Sequence, residues 1–217
     1  MVSQLLYNDL YLKIDMKDSW VLIQTTLDNY EGWIPANQHH PITEEKYNEC
    51  KAASLYATTD PITNFENKFL SLGSLFYEFH AGLTKIPESF DPEKMITYGK
   101  KLIGAPYLWG GKSVFGIDCS GFVQTCARAA GLFLPRDASQ QMQCGSLVYF
   151  LPETKAGDFA FFGKEDGSVT HVGIIIGNEQ ILHASGCVRI DYLDQTGIYN
   201  QETETHTHQL LAIKRLL

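Results

Sequence analysis

Cys119, His171 and His183 are the residues whose types and order could do chemistry in this chain. A nucleophile, a base that activates it and a partner that orients the base require one thiol and two imidazoles of this kind. Cys119 lies in Asp118-Cys119-Ser120-Gly121-Phe122, and apolar or small residues recur after it at Phe122, Val123, Cys126, Ala127 and Ala130. That spacing predicts a helix with Cys119 in its first turn and Gly131 just past its end. A thiol there meets the positive end of the helix dipole, which is expected to lower its pKa. The N–H groups of the same turn are expected to line an oxyanion hole. A buried structural cysteine is the competing reading. The glycines at 110, 111, 116 and 121 weigh against it, because they let backbone approach closely.

The histidines must then share a face. Thr170–Ile176 reads as one strand and Gln180–Ala184 as its return, with Gly177-Asn178-Glu179 between them. A three-residue loop would pair Ile176 with Gln180 and set His183 opposite Gly173. His171 and His183 then become diagonal neighbours at roughly 7–8 Å between Cα atoms. A two- or four-residue loop would put them on opposite faces, so the three-residue loop is expected.

The run from Gly104 through Pro106-Tyr107-Leu108-Trp109-Gly110-Gly111 to Asp118-Cys119-Ser120-Gly121-Phe122 resembles the NlpC-type cell-wall cysteine peptidases. Leu134-Pro135-Arg136, Gly157-Asp158, His171-Val172-Gly173 and His183-Ala184-Ser185 follow in the matching order. The resemblance implies an α+β, papain-like peptidase domain, with Cys119 as nucleophile, His171 as general base and His183 orienting it. It also makes Tyr107 a candidate to help hold the oxyanion and Trp109 a candidate substrate contact. A narrower likeness, to γ-D-glutamyl-L-diamino acid endopeptidases, turns on Asp137. Relatives of that type place an acidic group here to receive a free L-Ala amine, and Ser120 would add a second polar contact. The pattern Asp137-Ala138-Ser139-Gln140-Gln141 also reads as a helix start with Asp137 as its N-cap, and both roles are compatible.

The first half of the chain fits the same resemblance. Trp20–Gln24 is rich in β-formers, and Tyr30-Glu31-Gly32-Trp33-Ile34 is similar to the end of a bacterial SH3 barrel. Tyr30 is then either a residue leaning over the cleft or an ordinary barrel aromatic. Relatives reach the segment matching Ser3–Tyr7 only after an earlier strand and a Glu, and both are missing from the sequence as it begins at Met1. The expected organisation is an SH3-like module over 1–40 lacking its first strand, a second SH3-like or β-rich module over 41–85, and the catalytic domain over 86–217. Pro92 suits the first position of a helix running through Met95, Ile96 and Lys100.

Composition sets limits. The chain has 217 residues, 44% hydrophobic and 19% charged, with a formal net charge of −8 and no basic cluster, which argues against nucleic-acid binding. Five cysteines are an odd number without framework spacing, so no disulfide scaffold is expected. No run reaches the ~20 apolar residues of a membrane span. No basic and apolar leader follows Met1, so a cytoplasmic location is expected, or the cell envelope if an export signal lies upstream. The pairs His39/His40 and His206/His208 lack metal-site spacing and read as surface residues. No cofactor or metal is expected. The expected partner is a murein peptide such as L-Ala-γ-D-Glu-diamino acid, and the expected state is a monomer.

Overall fold

The computed structural model describes residues 1–216. The β-rich run at the start of the chain forms an open antiparallel sheet of β1 (Tyr11–Lys17), β2 (Trp20–Thr25) and β3 (Glu31–Pro35). Only the Val21 and Ile23 side of β2 is buried. Residues 41–85 hold short strands β4 (Tyr56–Ala57), β5 (Ile62–Phe65), β6 (Lys68–Ser71), β7 (Leu75–Phe76) and β8 (Thr84–Lys85), in two small sheets. They also hold a helix that the β-type reading of this stretch does not anticipate. This helix, α1 (Glu44–Ala52), is capped by Thr43, whose side chain accepts from the Lys46 N–H, and it carries Glu44 and Glu45 in its first turn.

The predicted helix at Pro92 forms α2 (Pro92–Lys101), with Asp91 as its N-cap and Met95, Ile96 and Tyr98 buried. The short strands β9 (Lys112–Ser113) and β10 (Gly116–Ile117) then lead into α3 (Cys119–Ala129). Gly131 follows α3 in the left-handed conformation expected of a helix terminator (φ 93°). After α4 (Ala138–Gln141) come β11 (Ser146–Val148), β12 (Phe159–Gly163), β13 (Val169–Gly177), β14 (Gln180–Ser185), β15 (Cys187–Leu193), β16 (Gly197–Asn200) and β17 (Thr205–Arg215). Each strand from β12 to β17 pairs with the next, and β17 also pairs with β12. The six strands therefore close into a small barrel within the helix-bearing part of the chain. Phe162, Ile175, Ile181, Leu193, Ile198 and Ile213 pack together as one buried cluster of it. The alternate residues Phe159, Phe161, Val172, Ile174, Leu182, Ala184 and Val188 pack with α2 and α3 in the main core.

All eleven residues of α3 are buried, although one side of it carries Ser120, Gln124, Thr125 and Arg128. Buried polar groups must find partners, and the N-terminal segment supplies many of them. Arg128 donates to Asp9 at 2.6 Å and to the Gly73 carbonyl at 2.6 Å, and Gln124 donates to Asp28 at 2.7 Å. Gln4 accepts from the Lys112 N–H at 2.9 Å, and Ser3 accepts from Arg136 at 3.0 Å. The polar face of α3, with Lys112 and Arg136, thus ties the segments flanking the first strands, including Asp28 two residues before Tyr30, to the helix that carries Cys119.

Candidate active site

Cys119 is the first residue of α3, behind the N-cap Asp118, whose carboxylate accepts from the Gly121 N–H at 2.7 Å. That carboxylate also accepts from the Gly110 N–H at 2.7 Å and from two nitrogens of Arg136 at 2.6 and 3.1 Å. It joins the Gly110-Gly111 loop, the helix start and the segment before α4 in one knot. Two glycines of the motif are required by contact. A Cβ on Gly121 would strike the Gly111 carbonyl oxygen, and a Cβ on Gly111 would strike that of Gly116.

His171 on β13 and His183 on β14 do share a face. Gly173 pairs with His183 as the sequence predicts, but the route differs. Gly177 pairs with Gln180, so the turn has two residues, Asn178 and Glu179, both with positive φ (52° and 56°). This is the pattern of a type I′ hairpin. A bulge between Ile175 and Gly177 takes up the extra residue and restores the register that a two-residue turn alone would have lost. The His171 Nε2 lies 2.9 Å from the His183 Nδ1, with the rings nearly perpendicular at 85°. The backbone N–H of Val172, next after His171, is among the groups near Cys119 that favour its thiolate.

Two further groups join the histidines. Asp191 on β15 accepts from the His183 Nε2 at 3.0 Å, and it is held in turn by Arg189 at 2.9 Å. His208 on β17, read from sequence as a surface residue, is half-buried and lies over His171 with ring centroids 4.2 Å apart. Asp191 could have been found from the alternation Arg189-x-Asp191 on the strand after His183. His208 carries no local signal, because it arrives by the closure of the barrel.

Around this centre the other candidates occupy distinct places. Asp137 is half-buried and makes no cap hydrogen bond to α4, so the N-cap role expected of its side chain is not realised. Tyr30 is half-buried, and burial, followed by the Asp137 carboxylate, pushes its phenol above the ordinary value. The hydroxyl of Ser120 is buried and occupied, accepting from Arg136 at 2.8 Å and reaching Asp118 at 3.3 Å. Tyr107 is half-buried, and burial, then the neighbouring Cys119, pushes its phenol up to about 12. Trp109 is 69% exposed and makes no part of the central cluster.

Residues 104–209 match the NlpC/P60 family. This chain carries an NlpC/P60 domain. Over 135 residues it is 38% identical to the gamma-D-glutamyl-L-lysine dipeptidyl-peptidase of Bacillus subtilis, a match that covers 59% of this chain and 45% of that protein. It is also 38% identical over 112 residues to the probable endopeptidase NlpC homolog of Haemophilus influenzae, covering 50% of this chain and 57% of the other. These matches span only about half the length of the relatives. An NlpC/P60 family protein from Bacillus cereus shares the fold across 99% of this chain and 82% of its own, with a TM-score of 0.80 at 23% identity.

The electrostatics of the NlpC/P60 domain correct one expectation. The Cys119 thiol is not lowered but pushed up to about 11, by its burial and by the Asp118 carboxylate beside it. Backbone N–H groups of Val172 and Ser120 and the charge of Arg136 pull the other way and do not prevail. His171 is held well below 6.5 by burial and by His183 and His208. In the unliganded site both partners are therefore neutral at pH 7. Dipole arguments from sequence omit the desolvation of a thiol on a residue that is only 6% exposed. No helix among the described residues is long and apolar enough to cross a membrane.

Proposed function

We propose that this chain is a cysteine endopeptidase that hydrolyses the γ-D-glutamyl bond to a diamino acid in murein peptides with a free N-terminal L-Ala. The observation that carries the specificity is the Asp137 carboxylate, half-buried beside Tyr30 and without a cap hydrogen bond. An ammonium facing such a carboxylate makes a charge-assisted hydrogen bond, typically ~1.5–3 kcal/mol. An acylated amine, as in an intact stem, leaves that carboxylate desolvated without a counter-charge.

The chemistry begins from a neutral pair. His171 takes the Cys119 proton as the sulfur attacks the scissile carbonyl, and the resulting imidazolium passes it to the leaving amine. The acyl group remains on the sulfur as a thioester until water, deprotonated by His171, releases it. The Cys119 and Ser120 N–H groups, ahead of the Gly121 N–H that the Asp118 carboxylate occupies, are the proposed donors to the oxyanion, with Tyr107 as a further one. Tyr30 encloses the amine end of the peptide, and Ser120 acts through Asp118 and Arg136. Trp109 contributes an exposed aromatic wall. The open sheet of β1–β3 is assigned to an SH3-like module that holds Tyr30 over the cleft.

The test compares hydrolysis of free L-Ala-γ-D-Glu-diamino acid with its N-acetylated form, using Cys119→Ala as the blank. Cleavage of the free peptide alone is expected. Equal cleavage of both would overturn the amine specificity in favour of a hydrolase of intact stems.

A further inference from the structure

We infer that Asp191 is a positioning residue that selects the tautomer of His171, acting through His183. The inference rests on the reading of His171 as the base, and its logic is a chain of hydrogen-bond polarity. A carboxylate can only accept, so the His183 Nε2, 3.0 Å from Asp191, must carry its proton. Neutral His183 then has a bare Nδ1, and the 2.9 Å contact with the His171 Nε2 must be donated by His171. His171 is thereby left with its proton on Nε2 and a bare Nδ1, the one ring nitrogen free to take a proton from Cys119. The opposite polarity, with His183 donating from Nδ1, would put the His171 proton on Nδ1 and disable the base.

The anchor at the end of this chain is built to stay ionised. Burial alone would raise the Asp191 carboxyl, but hydrogen bonds from His183 and Arg189 outweigh it and hold the group below its ordinary value. The Arg189 guanidinium donates to one carboxylate oxygen at 2.9 Å. Its Nε lies 2.8 Å from the other, close enough for ionic contact although that N–H is not aligned to donate. Arg189 also reaches Glu202 at 3.3 Å. The strands enforce the arrangement: Arg189 pairs with His183 across β14 and β15, and Asp191, two residues on, returns to the same face. The side-chain partners of Asp191 are His183 and Arg189, and Cys119 is not among them.

The deciding measurement is the tautomer of His171 in ¹⁵N-histidine-labelled protein, read from long-range ¹H–¹⁵N correlations above pH 7. The unaltered chain is expected to show His171 protonated on Nε2 alone, and protonation on Nδ1 would overturn the proposal without any variant. Asp191→Leu is expected to mix the two tautomers and to lower kcat about 10–100-fold, with KM unchanged, a loss of the size that follows removal of the outer hydrogen-bond partner of a metal-bound imidazole. Asp191→Asn keeps an acceptor oxygen without the charge and should fall between. Asp191→Leu with full kcat and a single His171 tautomer would sink the idea. The tautomer readout needs no turnover, so a failure of the proposed murein substrate is distinguishable from a failure of this inference.

Discussion

Replacing Arg136 by Met should test both the stability and the reactivity of the site. Arg136 is 1% exposed and Asp118 6%, and their closest contact is 2.6 Å. Removing the guanidinium strands a buried carboxylate that keeps only the Gly110 and Gly121 N–H groups and the Ser120 hydroxyl. Breaking such a pair from one side is expected to destabilise the fold by about 3–5 kcal/mol. In a chain of this size that corresponds to a fall in Tm of about 6–20 °C. Thermal unfolding of Arg136→Met, Asp118→Asn and the double variant forms the assay. The double variant strands no charge, so its loss should be smaller than the sum of the single losses. The same variants carry a second readout, because Asp118 raises the Cys119 thiol and Arg136 lowers it. Alkylation of Cys119 at fixed pH should therefore run fastest in Asp118→Asn and slowest in Arg136→Met. A Tm for Arg136→Met within the error of the unaltered chain, strict additivity, or the reverse order of alkylation would refute the reasoning.

Asp137→Asn should lower kcat/KM for the free-amine peptide by about 10–100-fold, the equivalent of ~1.5–3 kcal/mol, and leave the N-acetyl peptide unaffected; matched assays on the two peptides check this. Because Cys119 is pushed up to about 11, its alkylation in the absence of substrate should keep accelerating above pH 9, with no inflection near 7; a pH series of alkylation rates decides it. The acid limb of kcat/KM should lie below pH 6.5, since His171 stays neutral there, as a pH–rate profile will show. Stability should fall on acidification from about pH 6.5 downward, because the unfolded chain takes up protons that folded His171 and His208, the latter lowered to about 4, refuse; chemical denaturation across that range measures it. Gly121→Ala should disrupt the helix start through the Gly111 carbonyl, seen as a lowered Tm.

The central helix and its terminator at Gly131 were legible because they depend on local periodicity, whereas the shared face of the two histidines, expected from a three-residue loop, is reached through a two-residue turn and a bulge. Helix α1 was missed for a physical reason: its mean composition is polar, so no apolar stripe marks it, and only the Thr43 cap and two acidic residues announce it. The level of the Cys119 thiol could not be read from the helix position alone, since the dominant influence is burial by segments distant in sequence. Likewise Asp191 and His208 reach the site through sheet order and barrel closure, which no spacing along the chain encodes.

The bulge at Ile176 separates two requirements that a plain hairpin would bind together. The tight turn keeps its preferred two residues, while the histidines keep a common face, and one residue of slack lies between them. A chain shortened by that single residue could retain both the turn and the facing pair. The number of residues between two such histidines is therefore a poor guide to whether they meet, and a homologous chain with an unfamiliar count should not be dismissed as inactive on that ground.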